Sequence, residues 1–239
     1  MQRYFAINEK LEISKDDKYH ITKVMRMKKD DHIEIVWNKE VFLCNLDVVN
    51  SSEVVYSVCK KLSVNNEPEI YVTLAFSLVN ETKTDFILQK GVELGISEFI
   101  PVSASRSKVK IDKKEDKKIQ RWNKITKEAA EQSYRNIIPK VCEIHTMKEL
   151  INEEYDLKIL CSTKENLKTI KNVLQNSTKC DKIIIVVGPE GGITCEEEKL
   201  LGENGFDLVT LGNTILRTET APIFVMSAIR YELMRWLLW

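Results

Sequence analysis

The chain has 239 residues, of which 43% are hydrophobic and 30% are charged. This length accommodates one large or two modest domains, and the composition is typical of a soluble protein with a substantial core. No basic N-terminal segment leads into an apolar stretch, so we expect no signal peptide. The most apolar stretch, Ala221–Trp239, is interrupted by Arg230, Glu232 and Arg235. It therefore predicts a packed helix and not a membrane span.

The six cysteines do not form a pattern of metal ligands. None belongs to a C-x-x-C pair, and His20, His32 and His145 do not stand at ligand spacing to them. We therefore expect no structural zinc and no other metal site. Free thiols are typical of a reducing compartment, so the sequence predicts a cytoplasmic protein.

The formal net charge is zero, but the charges are distributed unevenly along the chain. Residues 103–140 carry 12 basic and 5 acidic side chains. A local surplus of this kind is typical of a surface that binds nucleic-acid phosphates. The alternative is a solvated helix face, especially at Lys113–Lys118. Arg106, Arg121 and Arg135 have more apolar neighbours and are the better candidates for RNA contacts.

Residues 1–67 predict a small β-barrel. Short alternating segments occur at Ile33–Val36, Val41–Leu46 and Val54–Val58, with turn-forming residues between them. Asn65–Pro68 predicts a linker to the rest of the chain.

Residues 68–239 predict an α/β domain with a parallel sheet, because candidate strands and helices alternate there. The predicted strands are Ile70–Phe76, Phe99–Val102, Ile138–Val141, Leu157–Cys161 and Ile183–Val187. The predicted helices are Phe86–Leu94, Lys117–Tyr134, Met147–Asn152, Asn166–Leu174 and Glu196–Glu203.

Two glycine-containing turns near the C-terminus predict a ligand pocket. The strand Ile183–Val187 ends in Gly188–Gly192, and a second turn, Leu211–Asn213, leads into Ile215–Ala221. Glycines after a buried strand let the backbone approach a ligand closely. The first turn matches neither the dinucleotide fingerprint nor the Walker phosphate loop. Taken alone, it is also compatible with a tight strand-to-helix turn that binds nothing.

These turns and several upstream motifs together resemble the RsmE-type family of 16S rRNA methyltransferases, which belongs to the SPOUT superfamily. The matching segments are Arg3–Phe5, His20–Arg26, Gln89–Gly95, Ile100-Pro101, Arg106-Ser107, Arg121-Trp122, Glu128–Ser133, Arg135, Gly188–Gly192 and Leu211–Ala221. The resemblance covers nearly the whole chain. It implies a PUA-like RNA-binding barrel at residues 1–67 and a SPOUT domain with a trefoil knot at residues 68–239.

The resemblance also implies S-adenosylmethionine as the cofactor, 16S rRNA as the partner and N3 of a uridine as the methyl acceptor. The assembled small ribosomal subunit is the expected form of the substrate. The knot would bring the ends of several strands to one adenosine. The implied cofactor-binding residues are Leu160, Cys161, Ser162, Gly188, Gly191, Gly192, Leu211, Gly212, Ile215 and Leu216.

The chemistry of this reaction calls for two kinds of side chain. N3 of uracil carries a proton at neutral pH, so a base near N3 and a cation near the flanking carbonyl oxygens are both useful. Arg217 is the first candidate for the cation, followed by Arg106, Arg26 and Arg135. Glu219, Glu190 and Glu131 are candidates for the base, although Glu219 also suits a helix N-terminus and Glu131 suits an ordinary helix pair with Arg135. The candidates for RNA contacts are Arg3, His20, Arg26, Arg106, Arg121 and Arg135.

The apolar C-terminal tail predicts a homodimer. Ile223, Met226, Ile229, Leu233 and Leu237 recur along one broad helix face. Two alternatives to the predicted activity remain at this point. One is another SPOUT activity, on a ribose 2′-hydroxyl or a different base. The other is a non-catalytic ribosome-assembly factor that binds RNA.

Overall fold

The computed structural model describes residues 1–50, 53–109, 115–164, 168–177 and 180–233. These residues divide into two compact units. The first contains residues 1–67 together with 127–138, and the second contains residues 68–126 and 139–239. Helix α3 (Glu115–Gln132) contributes to both units.

The first unit is built on a four-stranded sheet. Its elements are β1 (Gln2–Phe5), α1 (Lys15–Tyr19), a π-helix (His20–Val24), β2 (His32–Trp37), β3 (Glu40–Val49) and β4 (Val54–Leu62). The strand order is β1-β2-β3-β4. Strand β1 pairs with β2 in parallel, and the remaining pairs are antiparallel.

The three strands predicted in this region are confirmed, and the sequence analysis missed β1. The described sheet is open, so the predicted closure into a barrel is not seen. Its buried face carries Ile33, Ile35, Cys44 and Leu46, each 0% exposed. The period-2 pattern places these side chains on one face, where they pack on Ile21 of the π-helix.

The second unit is an α/β fold with a parallel sheet, as predicted, and the sheet has seven strands. Its strands are β5 (Tyr71–Ser77), β6 (Glu98–Ser103), β7 (Lys140–Val141), β8 (His145–Thr146), β9 (Leu157–Cys161), β10 (Lys182–Val187) and β11 (Asp207–Val209). The order is β11-β9-β10-β5-β6-β7, with β8 also pairing with β6, and every pair is parallel. Strands β8 and β11 were not predicted, and they are only two and three residues long.

The other helices of this unit are α2 (Glu81–Glu93), α4 (Ile170–Asn176), α5 (Cys195–Glu203) and α6 (Thr220–Glu232). The helix predicted at Met147–Asn152 is a 3-10 turn, Glu149–Asn152. Helix α5 begins at a capping box, in which Thr194 and Glu197 bond reciprocally to each other's backbone amides. The start of the predicted helix Asn166–Leu174 and the tail after residue 233 lie outside the described residues.

The central strands β5 and β10 are buried over most of their length, as expected for a parallel sheet covered on both faces. Val72, Leu74 and Phe76 of β5 and Ile183–Val186 of β10 are all 0% exposed. A parallel sheet of this kind presents functional groups at the carboxyl ends of its strands. In this unit those ends are Cys161 of β9, Val187 of β10 and Val209 of β11.

Candidate active site

A cavity of about 390 Å³ lies at the carboxyl ends of β9, β10 and β11. This volume falls within the range of small-molecule sites. The lining comes from three chain segments: Cys161–Thr163 with Thr169, Val187–Pro189 with Gly192, Ile193 and Glu198, and Thr210–Leu216 with Thr218 and Ala221. Most of this wall is backbone, hydroxyl or aliphatic surface. We refer to it as the first cavity.

Glycines shape the two turns in this wall. Gly192 has a φ of 72° and Gly212 a φ of 126°, which side-chain-bearing residues rarely adopt. A Cβ at Gly192 would meet no atom within 4 Å, so a side chain there would project into open space. The first turn therefore leaves room beside the backbone, as the sequence analysis predicted for a ligand pocket.

Eight residues of the predicted cofactor set line the first cavity, and two do not. The lining residues are Cys161, Ser162, Gly188, Gly192, Leu211, Gly212, Ile215 and Leu216. Leu160 is 0% exposed and belongs to the hydrophobic core, because it precedes the end of its strand by one residue. Gly191 lies instead against Arg106, whose Cβ would stand 3.1 Å from a Cβ at this position.

Glu198 lines the first cavity, although the sequence analysis did not single it out. Its carboxylate accepts a hydrogen bond of 2.7 Å from Ser162 Oγ and forms an ion pair of 3.2 Å with Lys164 Nζ. The capping box predicts that Glu198 lies in the first turn of α5. Only the fold shows that this turn faces the end of β9.

Lys83 joins two of the predicted catalytic carboxylates and was also missed. Its Nζ lies 2.6 Å from Glu190 Oε1 and 3.1 Å from Glu219 Oε2. The other oxygen of Glu190 lies 3.0 Å from Lys108 Nζ. Lys83 is in the first turn of α2, which begins at Glu81, before the predicted helix start at Phe86. No local pattern in the sequence links it to residues more than 100 positions away.

The two lysines change the chemistry expected of Glu190. Hydrogen bonds from Lys83 and Lys108 lower the pKa of Glu190 to about 2. A carboxylate with so low a pKa is a weak proton acceptor, so the structure argues against Glu190 as the base. Glu219 has a side chain 17% exposed, is ion-paired with Lys83 alone among the described residues, and immediately precedes α6.

Arg217 is exposed, and its neighbours Leu216 and Thr218 line the first cavity. Its carbonyl accepts hydrogen bonds from the amides of Thr220 and Ala221, which fixes the backbone at the start of α6. Among the described residues its guanidinium has no ion-pair partner within 4 Å. The charge is therefore available to a ligand.

Arg106 and Arg121 differ in how they are held. Arg106 is exposed and donates one hydrogen bond of 3.2 Å from Nη1 to the carbonyl of Gly191. Arg121 forms a two-pronged ion pair with Asp85, and its side chain is 43% exposed. A partner already neutralises Arg121, so it is the weaker of these two candidates for a phosphate contact.

Arg3 and Arg135 were predicted to contact RNA, and the structure instead makes them buried parts of the first unit. Arg3 has a side chain 1% exposed and an ion pair of 2.6 Å with Glu34. Arg135 has a side chain 5% exposed and an ion pair of 2.6 Å with Glu67. Arg3 also donates to the carbonyl of Tyr134 at 2.6 Å. Because these two guanidinium groups are buried and already bonded within the first unit, they stabilise the fold and are not presented to RNA.

Glu131, a candidate base, also belongs to the first unit, where Lys127 is its ion-pair partner. Its carboxylate lies 2.7 Å from Lys127 Nζ and accepts a hydrogen bond of 3.2 Å from the amide of Phe5. Arg135, which the helix spacing offered as an alternative partner, forms an ion pair with Glu67. Burial raises the pKa of Glu131 to about 6, opposed by the charge of Lys127. These contacts give Glu131 a structural explanation.

His20 and Arg26 lie around the π-helix of the first unit. His20 Nδ1 shares a hydrogen bond of 3.0 Å with the hydroxyl of Tyr4, and it is partly exposed. Arg26 is exposed and has a φ of 51°, an uncommon conformation for a residue other than glycine. Of the two, Arg26 is the better placed for an RNA contact.

The described residues include no group of three or more histidine, cysteine or acidic side chains arranged to hold a metal ion. Within the same part of the chain, no helix has the length and apolar character needed to cross a membrane.

The fold and the cavity define the class of protein to which this chain is similar. A family model for the RNA methyltransferase domain matches residues 66–230, which includes all three segments of the first cavity. Among solved structures, a methyltransferase from Legionella pneumophila in complex with the bound cofactor SAM matches with a TM-score of 0.91. It is 27% identical, and the match covers 99% of each chain.

Named relatives make the assignment more specific. Ribosomal RNA small subunit methyltransferase E of Bacillus subtilis is 39% identical, over 97% of each chain. The enzyme of that name from Mesomycoplasma hyopneumoniae is 33% identical over 95% of this chain and 98% of its own. The Neisseria gonorrhoeae structure of that name, bound to S-adenosyl methionine, matches with a TM-score of 0.88 at 29% identity and 98% coverage of both chains. The chain belongs to the ribosomal RNA small subunit methyltransferase E family.

Proposed function

We propose that this protein transfers a methyl group from S-adenosylmethionine to N3 of a uridine in 16S rRNA of the small ribosomal subunit. The observation that carries the proposal is the first cavity, which lies in a chain that belongs to the family throughout its length. The specificity for uridine N3 follows from the resemblance to the RsmE-type family. We expect the protein to act in the cytoplasm, where free thiols persist.

The first cavity fits S-adenosylmethionine in size and in chemistry. Its volume of about 390 Å³ suits an adenosine with a short amino-acid tail. Backbone groups at Leu211–Ile215 can bind the adenine edge, and the Glu198 carboxylate can accept hydrogen bonds from ligand hydroxyl or ammonium groups. When bound, the cofactor supplies a methyl carbon on a positively charged sulfur, which leaves with the bonding electrons as a neutral thioether.

The protein must make N3 of the acceptor nucleophilic. As N3 loses its proton, negative charge spreads to the two flanking carbonyl oxygens of uracil. A guanidinium with no ion-pair partner among the described residues, such as that of Arg217, stabilises this charge without first breaking an ion pair there. We propose Arg217 for that role. Among the candidate carboxylates, Glu219 remains the better base because the pKa of Glu190 is held near 2.

We propose that the first unit binds RNA as a PUA-like domain and that the second unit carries the SPOUT trefoil knot. The convergence of three chain segments on the first cavity supports the knot. Exposed Arg26 and Lys23, together with Tyr19, whose exposure is 63%, support RNA binding at the π-helix. Phosphates would pair with the two cations, and an exposed aromatic ring can stack on a base.

We also propose a homodimer, on a different face of α6 from the one predicted. Met226 and Ile229 are 0% exposed because they pack within the chain itself. The exposed stripe of α6 contains Thr220, Phe224, Ser227 and Tyr231, with Phe224 43% and Tyr231 79% exposed. These positions recur at helical spacing and therefore form one face. A second copy that covers this face should bury more than ~1,000 Å² in total.

Mass spectrometry of 16S rRNA tests the proposed reaction in the cell. In a strain without this protein, nucleosides from 16S rRNA should lack 3-methyluridine, and a plasmid copy of the gene should restore it. An unchanged amount would exclude the proposed acceptor. Loss of a 2′-O-methyl nucleoside would favour the ribose activity.

Calorimetric titration of the purified protein separates an enzyme from a non-catalytic assembly factor. The proposed enzyme binds S-adenosylmethionine at one site per chain. A factor that only binds RNA has no need of the cofactor.

A further inference from the structure

A second cavity, of about 90 Å³, lies beside the first in the same unit. Pro189 lines both cavities, so the two cavities adjoin at this residue. Its apolar wall includes Leu78 and Val79, and its polar wall includes Asn80, Arg106 and Lys108. The contrast in size is informative, because the smaller space suits a single planar ring and the larger one suits an adenosine.

Arg106 packs closely against the shared turn. This contact is possible because Gly191 has no side chain. A Cβ at that position would come within 3.1 Å of Arg106 Cβ and 3.3 Å of its carbonyl oxygen. Arg106 Nη1 donates to the Gly191 carbonyl at 3.2 Å. The φ of Gly191 is not positive, so close approach explains the glycine and backbone strain does not.

The two cations that line the second cavity, Lys108 and Arg106, differ in whether a carboxylate already pairs with them. Lys108 is ion-paired with Glu190 at 3.0 Å, and the second oxygen of Glu190 is taken by Lys83. Within the part of the chain that the structure describes, Arg106 has no carboxylate within 4 Å. One positive charge on this wall therefore remains available, and it belongs to a group with several donors in a fixed plane.

We infer that the second cavity receives the acceptor base and that Arg106 donates to a pyrimidine carbonyl oxygen adjacent to N3. This inference rests on the proposed function, and it names the acceptor subsite of that reaction. The apolar wall would pack on the face of a uracil ring turned out of the RNA. Enzymes that modify a base generally extract it in this manner. Because Pro189 lines both cavities, a base in the second cavity would lie next to the methyl donor in the first.

The test uses Arg106→Met and Arg106→Lys. Undermethylated small subunits from a strain lacking the protein are the substrate, and S-adenosylmethionine binding is measured separately by calorimetry. With both reactants saturating, the single-turnover rate of Arg106→Met should fall by ~10² or more, as after loss of an oxyanion donor. Arg106→Lys should recover part of that rate. The cofactor Kd should stay within about twofold of the wild-type value, because Arg106 does not line the first cavity.

The pH profile supplies a readout that a purely structural role would not change. If Arg106 stabilises the N3 anion, its loss makes deprotonation harder. In Arg106→Met, the pH at which the single-turnover rate rises should therefore be higher than in the wild type. An unchanged pH dependence would overturn the inference.

Gly191→Ala tests the positioning of Arg106 without removing its charge. The added Cβ presses on Arg106 and should lower the rate by ~10-fold, because small misplacements are expensive in catalysis. Gly202→Ala is the matched control, since its Cβ would meet only Leu208 Cδ1 at 3.4 Å. A wild-type rate in Gly191→Ala would overturn the positioning.

Three other outcomes distinguish a wrong acceptor subsite from a wrong proposed function. A raised KM for subunits with a normal saturated rate in Arg106→Met would show a phosphate contact and overturn the subsite. A weakened cofactor Kd that accounts for the lost rate would also overturn it. If the wild-type protein forms no 3-methyluridine at all, the proposed function itself fails.

Discussion

The arginines of the two units show how one residue type serves two different purposes. In the first unit, Arg3 and Arg135 are buried and each is paired with a glutamate, Glu34 or Glu67. In the second unit, Arg106 and Arg217 are exposed and, among the described residues, have no carboxylate partner. All four lie in segments that match the family. A motif arginine therefore identifies a family, and only burial and pairing show whether it stabilises the fold or faces a ligand.

The largest expected effect is a loss of stability when one of the buried arginines is replaced. Arg3→Met leaves the Glu34 carboxylate buried without its partner, and loss of one member of a buried pair costs about 3–5 kcal/mol. Urea unfolding should show this decrease in the free energy of unfolding. Arg121→Met is the matched control, because its pair with Asp85 is half-exposed and should contribute less than about 1 kcal/mol. Equal losses in the two variants would contradict the comparison.

The next largest effect is a loss of methylation rate when an exposed arginine, Arg217, is replaced. Arg217→Ala should lower the single-turnover methylation rate by ~10²–10³-fold if the guanidinium stabilises charge that forms only during the reaction. The melting temperature and the cofactor Kd should remain close to wild type, because the side chain is exposed and has no ion-pair partner in the described part of the chain. If the variant instead shows a raised KM for subunits, a normal rate and a shallower salt dependence, Arg217 binds a phosphate.

Lys83 combines features of both groups of arginines. It is ion-paired, with Glu190 and Glu219, and yet it belongs to the unit that contains the cavity. Lys83→Met removes the link between Glu190 and Glu219 and should let the two turns shift. We expect a ~10-fold lower saturated rate, since misplacement by even 1 Å can be costly. Lys83→Arg should restore most of the rate by keeping both ion pairs. A variant that loses only stability, with a normal rate, would assign Lys83 to the fold alone.

The smallest effect concerns Glu131, a buried carboxylate in the first unit. Its folded-state pKa of about 6 lies above the usual 4.5. The folded state thus favours the protonated form, and the stability from this group is fully present below pH 4.5 and is lost as the pH rises through 6. Relative to wild type, Glu131→Gln should become more stable by about 2 kcal/mol between pH 4 and pH 7.

Urea titrations of both proteins at the two pH values measure this difference. A constant difference across the range would show that Lys127 keeps Glu131 ionised throughout.

Sequence patterns predicted the parts of this molecule that local rules determine. The period-2 strands of the first unit, the continuous apolar strand Ile183–Val187 and the capping box at Thr194 each depend on neighbouring residues only. The glycines at positions 192 and 212 mark the cavity for a similar reason, because their backbone conformation excludes most side chains.

The missed features depend on long-range pairing. Strand β1 forms only because Gln2–Phe5 pairs with β2, about 30 residues further along. Lys83 meets Glu190 across 107 positions, and Arg3 meets Asn136 across 133. Composition could not show that Arg3 and Arg135 are buried, because arginine is usually exposed. The register shifts between β3 and β4, at Leu43/Cys44 and Leu46/Val48, likewise depend on the pairing of two strands.

The central claim is that the first cavity binds the methyl donor for uridine N3, and one labelling experiment tests it most directly. Purified protein is incubated with methyl-labelled S-adenosylmethionine and undermethylated small subunits, and the 16S rRNA is digested to nucleosides. The comparison variant is Gly192→Val, which adds a β-branched side chain at a positive φ on the cavity wall. Gly205→Val is its control, because Gly205 has a φ of 85° and equally open surroundings but does not line the cavity. We predict label in 3-methyluridine with wild type and Gly205→Val, and none with Gly192→Val. Equal labelling by Gly192→Val, or label in any other nucleoside, would contradict the account.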